Sequence, residues 1–164
     1  MTQRAPSVTP VAGRLPAGPP ASEINLALFK NGSWTEASSF AYLYIHHPLF
    51  AVDGLTAPPS QKEQWVPDRR TDKKPWFTVH LARAALLSRI VVYHDGRYSH
   101  RVYTVRCLRG AETVAGMEAA GTKDLKVVYP MTCPRTDAVR LDFTWDPFEA
   151  DGHIRIVEIE AWGR

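Results

Sequence analysis

Apolar residues in this chain recur mostly at every second position. From 139 to 146, Val139, Leu141, Phe143 and Trp145 alternate with Arg140, Asp142, Thr144 and Asp146. That period predicts a strand with one face in a core and the other in water. Phe77, Val79 and Leu81 repeat it, with Trp76, Thr78 and His80 opposite. Tyr103, Val105 and Cys107 alternate with Thr104 and Arg106, and Ile90-Val91-Val92-Tyr93 is a short β-branched run. Lys126-Val127-Val128-Tyr129 stops at Pro130, and 154–162 reads as the last strand. Between these runs lie turn signals such as Asn31-Gly32, Asp53-Gly54, Asp95-Gly96, Arg109-Gly110 and Asp151-Gly152. Only 82–88 and 111–120 read as helical. The pattern predicts an all-β sandwich or jelly roll of roughly eight strands.

The last strand carries a conflict. Ile154 and Ile156 share a face, and strict alternation places Glu158 and Glu160 on it, while Val157, Ile159 and Ala161 oppose them. Either a bulge switches the phase or a carboxylate points inward. An inward carboxylate needs a cation or several donors, because an unpaired buried charge is costly. Glu158 is therefore a candidate metal ligand.

Composition narrows the picture. The 164 residues suit one domain, and five Trp, six Tyr and six Phe supply a sizeable core. Residues 1–23, with Pro6, Pro10, Pro16, Pro19 and Pro20, show no apolar period and read as an extended linker; 24–164 reads as one ordered unit. No run approaches the length of a membrane span, and no apolar leader core follows Met1, which suits an excised or mature segment. The net charge of +3 is spread along the chain, whereas nucleic-acid binders concentrate theirs on one face, so no nucleic-acid partner is expected. Cys107 and Cys133 make neither a usual zinc site nor a redox CxxC motif; they are either one disulfide or two buried thiols.

Catalytic motifs are missing from the sequence. The six histidines have no HExxH spacing, and there is no Gly-x-Ser-x-Gly elbow or P-loop. Asp142, Asp146 and Glu149 gather near one strand end, where they read as solvated termini rather than a glycosidase pair.

Six landmarks in order resemble the discoidin domain, also called the coagulation factor V/VIII type C domain. Asn25-Leu26-Ala27-Leu28 with Ala37-Ser38-Ser39 is similar to that family's opening. Ala51-Val52-Asp53-Gly54, then Trp65, resemble its Ala-Val-Asp-Gly turn and the Trp beyond it. Trp76 to Ala82 resembles its Trp-x-x-Val-Asp-Leu-Gly strand, with His80 for the Asp and Ala82 for the Gly. Ile90–Tyr93 and Tyr103–Gly110 match the next strands, and Glu158 to Gly163 resembles the closing Glu-Ile-x-Val-x-Gly. The resemblance implies a galactose-binding-like jelly roll of two antiparallel sheets with its ligand in loops at one end.

It also implies function. Bacterial members, including family-32-type modules, are often non-catalytic carbohydrate-binding modules covalently linked to larger glycan-active proteins. Other members are adhesion or protein-interaction domains, or bind membrane surfaces. An extracellular or periplasmic location follows from the same resemblance. Glu149 and Asp151 beside Phe148 disfavour an anionic membrane. The resemblance further implies a structural calcium on Asp53 and Glu158, with Thr56 as third ligand, although the loop from Gly54 to Trp65 is longer than is typical. For the sugar, an aromatic face and planar hydrogen-bonding groups are required. The family's loop positions map onto His46 or His47, His94 with Arg97, and Phe148. Trp34, close to Gly32, is a further candidate exposed aromatic, and Trp145 continues a core face.

Overall fold

In a computed structural model of the chain we describe residues 22–42, 44–57, 60, 62–95, 102–119, 124–145 and 154–164. The linker expected over 1–23 falls outside them except at Ser22 and Glu23, and Glu23 already pairs with Arg89. The described residues hold eight strands: β1 (Ile24–Asn25), β2 (Trp34–Ala37), β3 (Trp76–His94), β4 (Tyr103–Arg109), β5 (Glu112–Ala119), β6 (Lys126–Tyr129), β7 (Cys133–Phe143) and β8 (Ile156–Gly163). The helices among the described residues are two 3₁₀ turns, Phe29–Asn31 and Pro48–Val52. No helix among these residues is long and apolar enough to cross a membrane.

β3 is shared by two antiparallel layers. Its first part pairs with β2 on one side and β7 on the other, and β7 leads on to β4 and then β5. Its last part pairs with β8 and β6, and β8 pairs with β1. Register shifts between His80 and Leu87 mark the corner where β3 passes from one layer to the other. Of the stretches 82–88 and 111–120, expected as helices, 82–88 lies in β3 and 112–119 in β5. Strand pairing of Ala85 with Thr136 and Leu87 with Cys133, and the β4–β5 hairpin, override the helix preference of Ala and Leu.

Because β3 folds back, its two ends meet. Pro75 O accepts from Phe143 N (2.9 Å), Phe143 lies opposite Tyr103, and the Tyr103 hydroxyl bonds His94 Nε2 (2.9 Å). The start of β3, its end, the start of β4 and the end of β7 therefore share one end of the sandwich. Between the layers, Trp65 packs on Phe77 (4.9 Å between ring centres) and Phe143 (5.6 Å). Half-buried Trp145 packs against this core, and its indole N–H donates to Asp72 O.

The sequence landmarks have physical jobs. The Asn25 side chain is buried, and its Oδ1 accepts from Ala27 N (3.1 Å) and Ala161 N (3.0 Å), tying the chain's opening to β8. A Cβ on Gly163 would sit 2.3 Å from Leu86 O, so only glycine fits there. Cys107 and Cys133 form a buried disulfide, which joins β4 to the start of β7 beside the corner at Leu87. The conflict in the last strand resolves both ways at once. Ile154, Ile156, Ile159 and Ala161 all join the core, so the phase switches, and the β3–β8 register shifts between Tyr93 and His94. Glu158 is nevertheless completely buried.

Candidate functional site

Two constellations lie next to each other in the chain's architecture, one acidic and one of loops. The acidic one starts at the Pro48–Val52 turn. It ends in Asp53, whose Oδ1 accepts from Leu55 N (2.8 Å), and Gly54 at φ 91°. Positive φ is cheap only for glycine, and a Cβ here would also press on Leu28. This turn covers β8, so Gly54 N donates to Glu158 Oε1 (3.2 Å). Glu158 Oε2 is buried with no hydrogen-bond partner, and so is Glu63 Oε2. Desolvation pushes the Glu158 carboxyl up to about 8, against the Gly54 N–H that lowers it; the Asp53 and Glu160 carboxylates raise it further. Asp53 is itself raised, first by desolvation and then by Glu63, against the Leu55 N–H.

Orphaned buried oxygens and mutually repelling carboxylates are what a hard cation relieves. The donor set fits calcium in chemistry, though among the described residues no three His, Cys, Asp or Glu side chains converge as a full metal cluster. Backbone oxygens would have to complete the shell. Thr56 is exposed two residues beyond Gly54. Glu63 was not anticipated from the sequence, since nothing in its local pattern sets it apart.

The loop constellation sits where the strand ends meet. A tight turn at Tyr42, itself at φ 58°, returns the chain through Ile45 N and His46 N to Tyr42 O. Tyr42 and Tyr44 are 68% and 88% exposed. His46 Nδ1 lies 3.1 Å from Gln64 O. A carbonyl only accepts, so Nδ1 carries a proton. His47 caps the following turn, and its Nδ1 accepts from Leu49 N (3.1 Å). Its neutral ring therefore carries the proton on Nε2. The two neighbouring histidines thus use Nδ1 oppositely, His46 donating from it and His47 accepting at it.

Gln64 joins this turn to the end of β3, its Nε2 donating to Asp95 Oδ2 (3.1 Å). His94 stands behind the surface rather than on it: it is 4% exposed and bonded to Tyr103, whose hydroxyl also accepts from Tyr129 (2.8 Å). Arg97 and Phe148 lie outside the described residues, in segments that leave this same end after Asp95 and after Trp145. The structure so brings together His46, His47, Gln64 and Asp95. Gln64 and Tyr42 were missed in the sequence: Gln64 carries no local signal, whereas Tyr42 stands four residues from His46 and was legible as a flanking aromatic.

No protein-family model matches the sequence, and no curated protein sequence matches it. Solved structures do match the fold. The lectin domain of lectinolysin complexed with Lewis B antigen superposes with a TM-score of 0.72 at 16% identity, over 88% of this chain and 99% of that one. The family 32 carbohydrate-binding module of C. perfringens NanJ, in complex with galactose, gives 0.66 at 14% identity, over 85% of this chain and 98% of that one. Allantoicase from Saccharomyces cerevisiae gives 0.65 at 16% identity, the match spanning 43% of the larger chain. These likenesses show that the chain shares the antiparallel β-sandwich fold of these proteins.

Proposed function

We propose that this domain is a non-catalytic carbohydrate-binding module whose sugar sits at the strand-end loops. The observation that carries the reading is the convergence there of the turn at Tyr42 to His47 and the end of β3, joined through Gln64, on a fold shared with the lectinolysin lectin domain in complex with Lewis B antigen and the NanJ module in complex with galactose. Exposed Tyr42 and Tyr44 supply ring faces for sugar C–H groups, and the His47 Nε2–H supplies a donor for hydroxyls. Arg97 and Phe148 are proposed to complete the site from the two loops beyond it. His94 keeps a role behind it, holding Tyr103 and with it the start of β4.

Calcium belongs to the same proposal. It would be held by Glu158 and Asp53, with Thr56 as third ligand, and would neutralise the buried carboxylate and brace the Gly54 turn. The module is proposed to work covalently attached to a larger extracellular or periplasmic protein; the buried disulfide suits an oxidising compartment. An NMR titration with galactose and with fucose tests the site. Arg97→Ala and Phe148→Ala should each weaken binding by about tenfold or more without lowering stability. Unchanged affinity in both would move the site elsewhere.

A further inference from the structure

The acidic cluster and the strand-end loops are joined twice, and each join ends on one of the two neighbouring histidines. The first join runs along the chain. His47 caps the Pro48–Val52 turn, accepting from Leu49 N, and Asp53 is the residue that closes the same turn. Pro48, Ala51 and Val52 are buried, so the turn has little room to flex between its two ends. The second join runs through Glu63 and Gln64. Gln64 O accepts from His46 Nδ1, and Gln64 Nε2 donates to Asp95. The preceding residue, Glu63, is half-buried, and its Oε2 is buried with no hydrogen-bond partner.

Backbone pairing sets where Glu63 lies. Trp65 and Ile156 exchange both backbone hydrogen bonds (2.9 and 3.0 Å) in an antiparallel bridge. Antiparallel segments run back past each other, so the residue two before Trp65 and the residue two after Ile156 fall at the same end of the bridge. Those residues are Glu63 and Glu158. Glu158 is completely buried, and its Oε2 also lacks a partner. The Glu63 charge reaches Asp53 as well, adding to the rise that desolvation gives that carboxyl. On the sugar side, Val66 O accepts from Ala41 N (2.7 Å), next to Tyr42. The stretch from Glu63 to Val66 thus stands between the acidic cluster and the Tyr42–His47 turn.

We propose that a divalent cation in this cluster is an effector of sugar binding, and that Glu63 is the positioning residue that carries its effect to Gln64 and His46. The proposal rests on the reading of the strand-end loops as the sugar site and of the cluster as a calcium site. Unneutralised, Asp53, Glu63 and Glu158 repel one another and favour arrangements in which the Asp53 turn and the Glu63 stretch stand apart. Either displacement takes a histidine with it, His47 on the turn and His46 on Gln64. A neutralised cluster holds both stretches, and so sets both rings in one arrangement before the sugar arrives. Such coupling is reciprocal: the factor by which the cation tightens the sugar is the factor by which the sugar tightens the cation.

The test is calcium and sugar titrated in both orders, with galactose and fucose as the sugars, on wild type, Glu63→Gln and Glu160→Gln. Glu160 also repels Glu158, but its oxygens accept from Trp162 and Tyr93, so it controls for charge alone. Calorimetry reads the affinities, and imidazole nitrogen spectra read the two rings without any sugar. Wild type should bind sugar about tenfold more tightly in calcium than in chelator, and bind calcium more tightly by the same factor with sugar present. Calcium alone should shift both the His46 and the His47 rings. Glu160→Gln should behave as wild type. Glu63→Gln should still gain melting temperature from calcium and still shift His47, through the Asp53 turn. Its His46 ring should stay unmoved, and the calcium effect on its sugar affinity should fall to about threefold or less. Full coupling in Glu63→Gln, or an equal loss in Glu160→Gln, overturns the proposal. Sugar affinity that is the same in calcium and in chelator also overturns it, and leaves the strand-end site standing. If calcium neither binds nor raises the melting temperature, the cation reading falls with the proposal; if neither sugar binds in either condition, the sugar reading falls with it.

Discussion

Replacing Glu158 with Gln keeps the shape of the buried side chain and removes its ionisation. Glu158 is wholly buried, and its carboxyl is raised from an ordinary 4.5 to about 8. Without metal, the folded protein therefore holds this proton more tightly than the unfolded chain does. Below about pH 4.5 both states are protonated and nothing is lost. As pH rises toward 8 the unfolded chain releases a proton that the fold retains, and stability falls. At about 1.4 kcal/mol per pH unit, the full gap amounts to about 5 kcal/mol, of which about 3 kcal/mol is lost by pH 7. For a domain of this size that is a fall in melting temperature of about 10 °C. Calcium should oppose it, because the ion binds the carboxylate and competes with the proton; at a hundredfold excess over Kd it restores about 2.7 kcal/mol.

The assay is thermal melting from pH 5 to 8, with chelator and with calcium, for wild type and Glu158→Gln. Wild type in chelator should lose stability across this range, and added calcium should return most of it, increasingly so at higher pH. The Gln variant should show a flatter profile and little response to calcium. The reasoning is refuted if wild type in chelator is as flat as the variant, or if calcium raises both proteins equally.

Reducing the Cys107–Cys133 disulfide, or replacing both residues with Ser, should cost about 3 kcal/mol by loop closure over a separation of 26 residues, read as a lower denaturation midpoint. Gly163→Ala should cost about 2 kcal/mol or more, since its methyl meets Leu86 O at 2.3 Å; a melting temperature equal to wild type would contradict the close approach. Tyr103→Phe removes the hydroxyl that His94 and Tyr129 share and should destabilise by about 1–3 kcal/mol while leaving sugar affinity within about twofold, because the triad lies behind the binding surface. A large affinity loss at unchanged stability would return His94 to the site.

The strands were legible wherever one face is buried and the other wet, as in Phe77, Val79 and Leu81 or Val139, Leu141 and Phe143, because the alternation is itself the record of burial. The bulge in β8 was legible as a conflict of phase, and Glu158 could be singled out before any geometry. The corner of β3 was not: Ala84, Ala85, Leu86 and Leu87 carry a helical preference that only pairing with Thr136, Cys133 and Gly163 overrides. The disulfide stayed open because bridging depends on two strands meeting in space. In the candidate site, His46 and His47 stood out as polar rings in a turn. His94 looked alike, beside Asp95-Gly96, but its burial is decided by two tyrosine hydroxyls, 9 and 35 residues away in sequence. Gln64 and Glu63 act only through partners far along the chain, so no local pattern marks them.

The central claim is sugar recognition at the strand-end loops. A glycan array probed with the isolated domain, in calcium, tests it most directly when wild type and His46→Ala are compared on the same slide. Wild type should bind a defined set of glycans with affinity of roughly micromolar to millimolar order, and His46→Ala should lose about tenfold or more on that set with an unchanged melting temperature. A wild-type domain that is folded by its melting transition and binds no glycan on the array would contradict the account.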